Sequence, residues 1–210
     1  MAKLKAPLMS LGASQQLGKA LVFFPWKGLN VVREYVVPSN PKTAAQTTQR
    51  GYVTDGVAMV HTAQARAGSP LDSDDQVAYS ALASAKGKIM TWFNQAIKLW
   101  VDVKVAALIP IIYSDGTCSH SPATGMRFIV YLNEEVGSSL LAGHFFLGTS
   151  KTNLVQSKAA VISAGASAYL DAAGAFTGLT VGVKYYWQFR PDAADPCEGA
   201  DSGIYYAVAT

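Results

Sequence analysis

A chain of 210 residues can form one large domain or two small ones, and either can bury a real core. Half the residues are hydrophobic and only 15% are charged, which excludes intrinsic disorder and leaves a charge-poor surface of the kind that partners cover. The net charge of +3 comes from scattered lysines and arginines, which argues against a basic patch for nucleic acid.

Met1 to Leu17 carries two early lysines but no continuous apolar run, so it does not read as a signal peptide. From Lys19 to Val37, two β-rich runs flank Pro25-Trp26-Lys27-Gly28, the pattern of a β-hairpin. Arg33 and Glu34 in its second run imply a face that is solvated or meets a polar partner. Trp26 is assigned to the tip, where a large aromatic has few intramolecular neighbours. It is therefore the first candidate for an interface, with Lys27, Arg33 and Tyr35 beside it.

Pro38-Ser39-Asn40-Pro41 stops the strand. A helix then starts either at Asn40 and Pro41 or at a Thr43/Gln46 capping box and runs to about Ala65, weakened by Gly51 and Gly56. Gly68-Ser69-Pro70 breaks the chain, and Asp72 or Ser73 caps a second helix with Asp74 and Asp75 in its first turn. Ile89, Trp92, Phe93, Ala96, Ile97 and Trp100 recur at helical spacing and give the clearest helix signal in the chain. The apolar stretch from Ile89 to Tyr113 is interrupted by Lys98, Asp102, Lys104 and Pro110, so it reads as a buried helix and a strand rather than a membrane span.

After Val103 the pattern changes to short strands. Candidates are Val105 to Tyr113, Arg127 to Leu132, Ala142 to Leu147, Val155 to Ile162, Ala166 to Leu170, Val183 to Phe189 and Ile204 to Val208. Short strands separated by turn signals, with no helix between them, predict an antiparallel sandwich. The expected fold is α+β: an N-terminal hairpin and helical region over 1–103, then a β-sandwich over 104–210.

Gly178-Leu179-Thr180-Val181-Gly182-Val183-Lys184-Tyr185-Tyr186-Trp187 resembles the corner between strands E and F of fibronectin type III domains. The resemblance implies that Leu179 enters the core, Gly182 turns the chain and Tyr185 ties its hydroxyl to nearby backbone. The tryptophan such domains carry on strand B or C has no counterpart here.

The first third carries Trp26-Lys27-Gly28, Val32-Arg33, Pro38, Asn40-Pro41, Thr43, Gln46 and Gln49-Arg50. This is similar to a group of phage and prophage proteins with a W-K-G hairpin, then V-R, P-x-N-P-x-T-x-x-Q and Q-R. That resemblance implies a virion structural component made in the host cytoplasm. Its expected role is capsid decoration or cementing, with head–tail connector or tail component as variants. Its partners would be other virion proteins and copies of itself, with neither nucleic acid nor membrane. The rival class is a carbohydrate- or host-surface-binding module stacking its ligand on Tyr205, Tyr206 or Trp187.

No catalytic constellation is legible, so a non-enzymatic protein without cofactor or metal is expected. Gly12 to Lys19 departs from a phosphate loop, with five residues between Gly12 and Gly18 and Ala20 after the lysine. Cys118 and Cys197 lie in turn-rich segments; free thiols are favoured, and a disulfide stays open as the alternative. A zinc site would need Cys118, His120 and Cys197 to converge, and a fourth ligand is not evident. Asp72, Asp74 and Asp75 read as helix caps. Asp192, Asp195, Glu198 and Asp201 read as a solvated loop before they read as a calcium site.

Overall fold

The computed structural model describes residues 15–17, 20–27, 29–37, 39–121, 125–135, 137 and 139–210. Two compact units are present, Met1–Thr43 and Ala44–Thr210. The division falls at the end of the hairpin region rather than at 103/104, because the helices share apolar cores with the strands that follow them.

The first unit is a three-stranded antiparallel sheet of β1 (Gln15–Leu17), β2 (Leu21–Trp26) and β3 (Leu29–Glu34), in the order β1-β2-β3. The expected hairpin is β2–β3. Pro25 and Trp26 belong to its strand rather than to its turn, since Pro25 pairs with Asn30 and Trp26 with Leu29. Lys27 begins the turn with φ of 47°, in the left-handed region that tight hairpins require. Strand β1 was not anticipated, because three residues are too few to show an alternating pattern.

The second unit opens with three helices. Helix α1 (Ala44–Gln64) starts one residue after Thr43, the later of the two expected positions. Its buried stripe is narrow: Gly56, Val60 and Ala63. Gly56, which weakens the helix in isolation, is a contact site. A Cβ there would stand 2.8 Å from Cδ1 of Trp100, so the glycine lets the indole pack against the helix. Helix α2 (Ser73–Ala85) is capped by Asp72, whose carboxylate accepts from the N–H groups of Asp74 at 2.9 Å and Asp75 at 3.2 Å. Helix α3 (Trp92–Val105) is capped by Thr91. It therefore starts after Ile89, which is fully exposed rather than part of the inner face.

The remaining strands form two four-stranded antiparallel sheets. These are β4 (Ile111–Ser121), β5 (Gly125–Glu134), β6 (Gly143–Gly148), β7 (Gln156–Ala159), β8 (Val161–Ser163), β9 (Ser167–Tyr169), β10 (Lys184–Pro191) and β11 (Tyr205–Val208). Their orders are β4-β5-β9-β8 and β11-β10-β6-β7. Lettered in chain order, these are A-B-E-D and G-F-C-C′, the arrangement of an immunoglobulin-like sandwich. Alternation places Met126, Phe128, Val130 and Leu132 of β5 against Phe145 and Leu147 of β6 and Trp187 and Phe189 of β10.

Two strands differ from their sequence-based bounds. Val155 to Ile162 reads as one run, yet β7 and β8 lie in different sheets, with Ala160 at the switch. The run from Val105 to Tyr113 becomes a strand only at Ile111, because Val105 ends α3, and that strand continues to Ser121 through a bulge between Ser114 and Thr117. Asp115-Gly116, which reads as a turn, is that bulge, with Asp115 at φ of 49°.

The helices cover β4, β5 and β11. Ile112 of β4 and Ile204 join Val60, Tyr79, Leu82, Leu99 and Trp100 in a second apolar cluster outside the sandwich. Polar bonds fix this layer. The Tyr113 N–H donates to the Tyr79 hydroxyl at 3.0 Å, and Arg66 Nη1 donates to the Leu132 carbonyl at 2.7 Å.

Candidate interaction surface

The β2–β3 hairpin carries apolar residues on both faces, and none of its described side chains is buried. In the β2–β3 register, Val22, Phe24, Trp26, Leu29, Val31 and Arg33 share one face. Leu21, Phe23, Pro25, Val32 and Glu34 share the other. No described side chain between Ala20 and Thr43 is buried. Trp26 is 59% exposed, Leu29 70%, and Val36 and Val37 after β3 67% and 71%.

Of the four expected interface residues, Trp26, Lys27 and Arg33 are exposed and Tyr35 is half-buried. Arg33 lies 5.3 Å from the Phe24 ring centroid, so its charge rests on the aromatic face instead of standing free. The Tyr35 N–H donates to Ala20 C=O at 2.8 Å, which continues the β2–β3 ladder. That bond fixes the phase of the strand. Residues 29, 31, 33 and 35 bond inward, so the backbone groups of Asn30, Val32 and Glu34 point out from the edge of the sheet. An exposed edge of this kind is what another strand pairs with.

At the E–F corner, Leu179 is buried and Gly182 adopts a φ of 80°, which a residue with a Cβ resists. The Tyr185 hydroxyl accepts from the Thr180 N–H at 3.1 Å. This is the geometry of a tyrosine corner, tying strand F to the segment before it. The missing strand-B or strand-C tryptophan is replaced by Phe128 on B and Phe145 on C, packed around Trp187 on F.

Cys118 and Cys197 are free thiols. Burial pushes the Cys118 thiol up to about 11. Burial, followed by the negative charge of Asp195, pushes Cys197 up to about 12. Both are protonated at neutral pH and poor nucleophiles. Native protein treated with iodoacetamide at mildly alkaline pH should label at both cysteines far more slowly than denatured protein does. Prompt native labelling of Cys197 would contradict its burial.

Among the described residues no three His, Cys, Asp or Glu groups gather as a metal site, so Cys118, His120 and Cys197 do not converge. Each loop carboxylate already has a partner. Asp195 accepts from Leu141, Ala142 and Cys197 N–H groups at 3.0, 2.9 and 2.8 Å. Asp192 pairs with His144, Glu198 with the Ala194 N–H and Asp201 with Lys86. The Gly12 to Lys19 segment lies largely outside the described residues. No helix among the described residues is long and apolar enough to cross a membrane.

Two features escaped the sequence reading. Asp75 accepts from the Tyr205 hydroxyl at 2.7 Å and from the Asp115 and Gly116 N–H groups at 2.8 and 3.2 Å, besides closing its capping box with Asp72 at 3.1 Å. Its capping role is legible as a spacing; its grip on the bulge 40 residues away is not. Gly116 permits the same junction, since a Cβ there would fall 2.2 Å from the Tyr205 ring. The second feature is an exposed pair on the sandwich, Tyr206 with Lys184, whose ammonium lies 3.6 Å from the ring centroid.

The α+β architecture, three helices and an antiparallel β-sandwich in the second unit, defines the class of the protein by its fold. Against protein-family models, curated proteins and solved structures, the chain has no match.

Proposed function

We propose that this chain is a non-enzymatic structural subunit of a phage virion, decorating or cementing the capsid shell. The observation that carries the reading is a sheet with apolar residues on both faces, an open edge and no buried side chain among those described. Such a sheet cannot bury enough area to be stable by its own packing, and a neighbouring subunit that covers it supplies the missing core. Pairing through the outward groups of Asn30, Val32 and Glu34 would add β3 to a neighbour's sheet, with Trp26 as the buried anchor. The virion assignment leans on the W-K-G…V-R…P-x-N-P-x-T-x-x-Q…Q-R resemblance. The partners are then other virion proteins and further copies of this chain, and a connector or tail position is the nearest variant.

The test is quantitative mass spectrometry of purified phage particles encoding the chain. Copy numbers comparable with the shell protein support decoration, whereas a single ring's worth points to the neck or tail. Absence from the particle would end the structural reading. Replacing Trp26 and Arg33 together by alanine should reduce incorporation at least about tenfold, the loss of one anchor of ~1.4 kcal/mol or more. Unfolding of the full chain should shift by no more than about 0.5 kcal/mol, because both residues are exposed. Normal incorporation of that variant would show that the sheet is not the anchor.

The binding-module reading loses two of its three stacking residues, since Trp187 and Tyr205 are buried. Tyr206 alone remains open.

A further inference from the structure

We propose that the groove between α2 and the outer face of β10–β11 binds a carboxylated saccharide, independently of the assembly role of the N-terminal sheet. Tyr186 and Tyr206 are cross-strand partners, and Lys184 precedes Tyr186 by two residues, so all three project from the same face of the sheet. The Lys184 ammonium lies 3.6 Å from the Tyr206 centroid and 5.4 Å from that of Tyr186. The ring electrons hold the cation over the shelf while Tyr206 stays 55% exposed. Opposite stand Val77 and Ala81 of α2, and the turn after β6 closes one end with Thr149, Ser150 and Lys151. Lys151 donates to the Ser84 hydroxyl at 2.7 Å, which pins that turn to the helix and makes the end wall part of the fold. The groove is open to solvent along one side and has a volume of about 430 Å³, within the ~300–1,000 Å³ common for small-ligand sites.

Its chemistry is one-signed. Two lysines line it, no carboxylate does, and neither lysine forms an ion pair among the described residues. An anion is therefore the complementary ligand. The phenol rings and hydroxyls select its form. A pyranose presents an apolar C–H face for stacking on Tyr206 and equatorial hydroxyls for Thr149 and Ser150, while a ring carboxylate meets Lys184 or Lys151. These groups stand on the face of the sheet and not along its edge, which suits ring stacking better than the addition of an acidic peptide strand.

Isothermal titration of the full chain with trigalacturonate should detect binding that weakens as salt is raised. Cellotriose, neutral and of the same length, should bind much more weakly. Tyr206→Ala should weaken trigalacturonate binding about tenfold, the loss of one stacking surface. Lys184→Gln should weaken it about fivefold and flatten its salt dependence. Both residues are exposed, so an unchanged melting curve certifies that the variants fold. Equal affinity for cellotriose, unaffected variants or no binding at millimolar ligand would each overturn the proposal. Binding of a glutamate-rich peptide in place of the saccharide would also overturn it and assign the groove to an acidic protein segment.

Discussion

Trp187→Ala is expected to lower the unfolding free energy by about 3–5 kcal/mol, the largest loss from any single side chain of the sandwich. Trp187 is 1% exposed and lies at the centre of a three-ring stack. Phe128 sits on one face at 4.5 Å and 14° between planes, and Tyr205 on the other at 4.4 Å and 18°. Phe145 adds a tilted contact at 5.9 Å. The stack spans both sheets, because Phe128 belongs to β5 and Trp187 and Tyr205 to β10 and β11. Removing its middle member leaves a cavity that two fixed backbones cannot close, and each aromatic pair is worth ~0.5–1.5 kcal/mol beyond area burial. Against a typical domain stability of ~5–15 kcal/mol, such a loss brings the sandwich near the limit of folding. Urea denaturation of the full chain measures it, with Trp187→Phe as a milder comparison. A loss below about 1 kcal/mol would mean that the stack does not hold the two sheets together.

Asp75→Ala is expected to cost about 3–5 kcal/mol, although it deletes a residue whose negative charge is itself expensive to bury. The carboxylate serves three backbone N–H groups and the Tyr205 hydroxyl. Without it, the bulge donors face the apolar junction between α2 and β11 with no acceptor. Asp75→Asn restores volume but offers one acceptor oxygen, and its amide hydrogens oppose the remaining donors, so it should recover only part of the loss.

The same residue carries a pH signature. Burial raises the Asp75 pKa above its ordinary value of 3.8, and the hydrogen bonds from Tyr205, Asp115, Gly116 and Asp72 oppose that rise without cancelling it. The folded chain therefore holds this proton more tightly than the unfolded chain does. The stabilisation from that proton is fully present below pH 3.8, declines as pH rises through the higher folded pKa, and is absent beyond it. Subtracting the Asp75→Asn stability curve from that of the wild type isolates this contribution from Asp201, whose pKa burial also raises. A difference that grew with pH across that window would show that the hydrogen bonds outweigh desolvation.

Both residues show where local reading of the chain stops. The strand alternation around Trp187 was legible, since Tyr185, Trp187 and Phe189 fall on one side of a period-two pattern. Alternation also places Gln188 outside, yet Gln188 is buried, with its amide donating to the Ser202 carbonyl at 2.8 Å. The helical layer and the 200–204 segment cover that outer face, and no pattern inside β10 carries that information. Asp75 is similar, because its capping role follows from a spacing of three residues, while its partners at Asp115, Gly116 and Tyr205 depend on how α2 docks.

Position along the chain misled in a different way at Trp26 and Ile89. A proline before a tryptophan and a glycine soon after it suggest a four-residue turn. Pro25 and Trp26 pair with Asn30 and Leu29 in the ladder instead, and the left-handed conformation begins only at Lys27. Ile89 has the right spacing for the inner face of α3, but the helix starts at its Thr91 cap, and the pattern ran past the point where hydrogen bonding begins.

The sequence by itself determined what nearest neighbours along the chain decide: helix periodicity, caps, the hairpin, the alternation of the sandwich strands and the corner at Leu179, Gly182 and Tyr185. Each rests on contacts between residues a few positions apart, so short windows contain the whole cause. Only the tertiary structure decided that the helices belong with the sandwich, that β7 and β8 part into different sheets, and that Asp115-Gly116 is a bulge held by a helix cap. It also decided that no described side chain of the β2–β3 hairpin is buried. Those outcomes depend on which distant surfaces exclude water together, a competition that is settled only when the whole chain has packed.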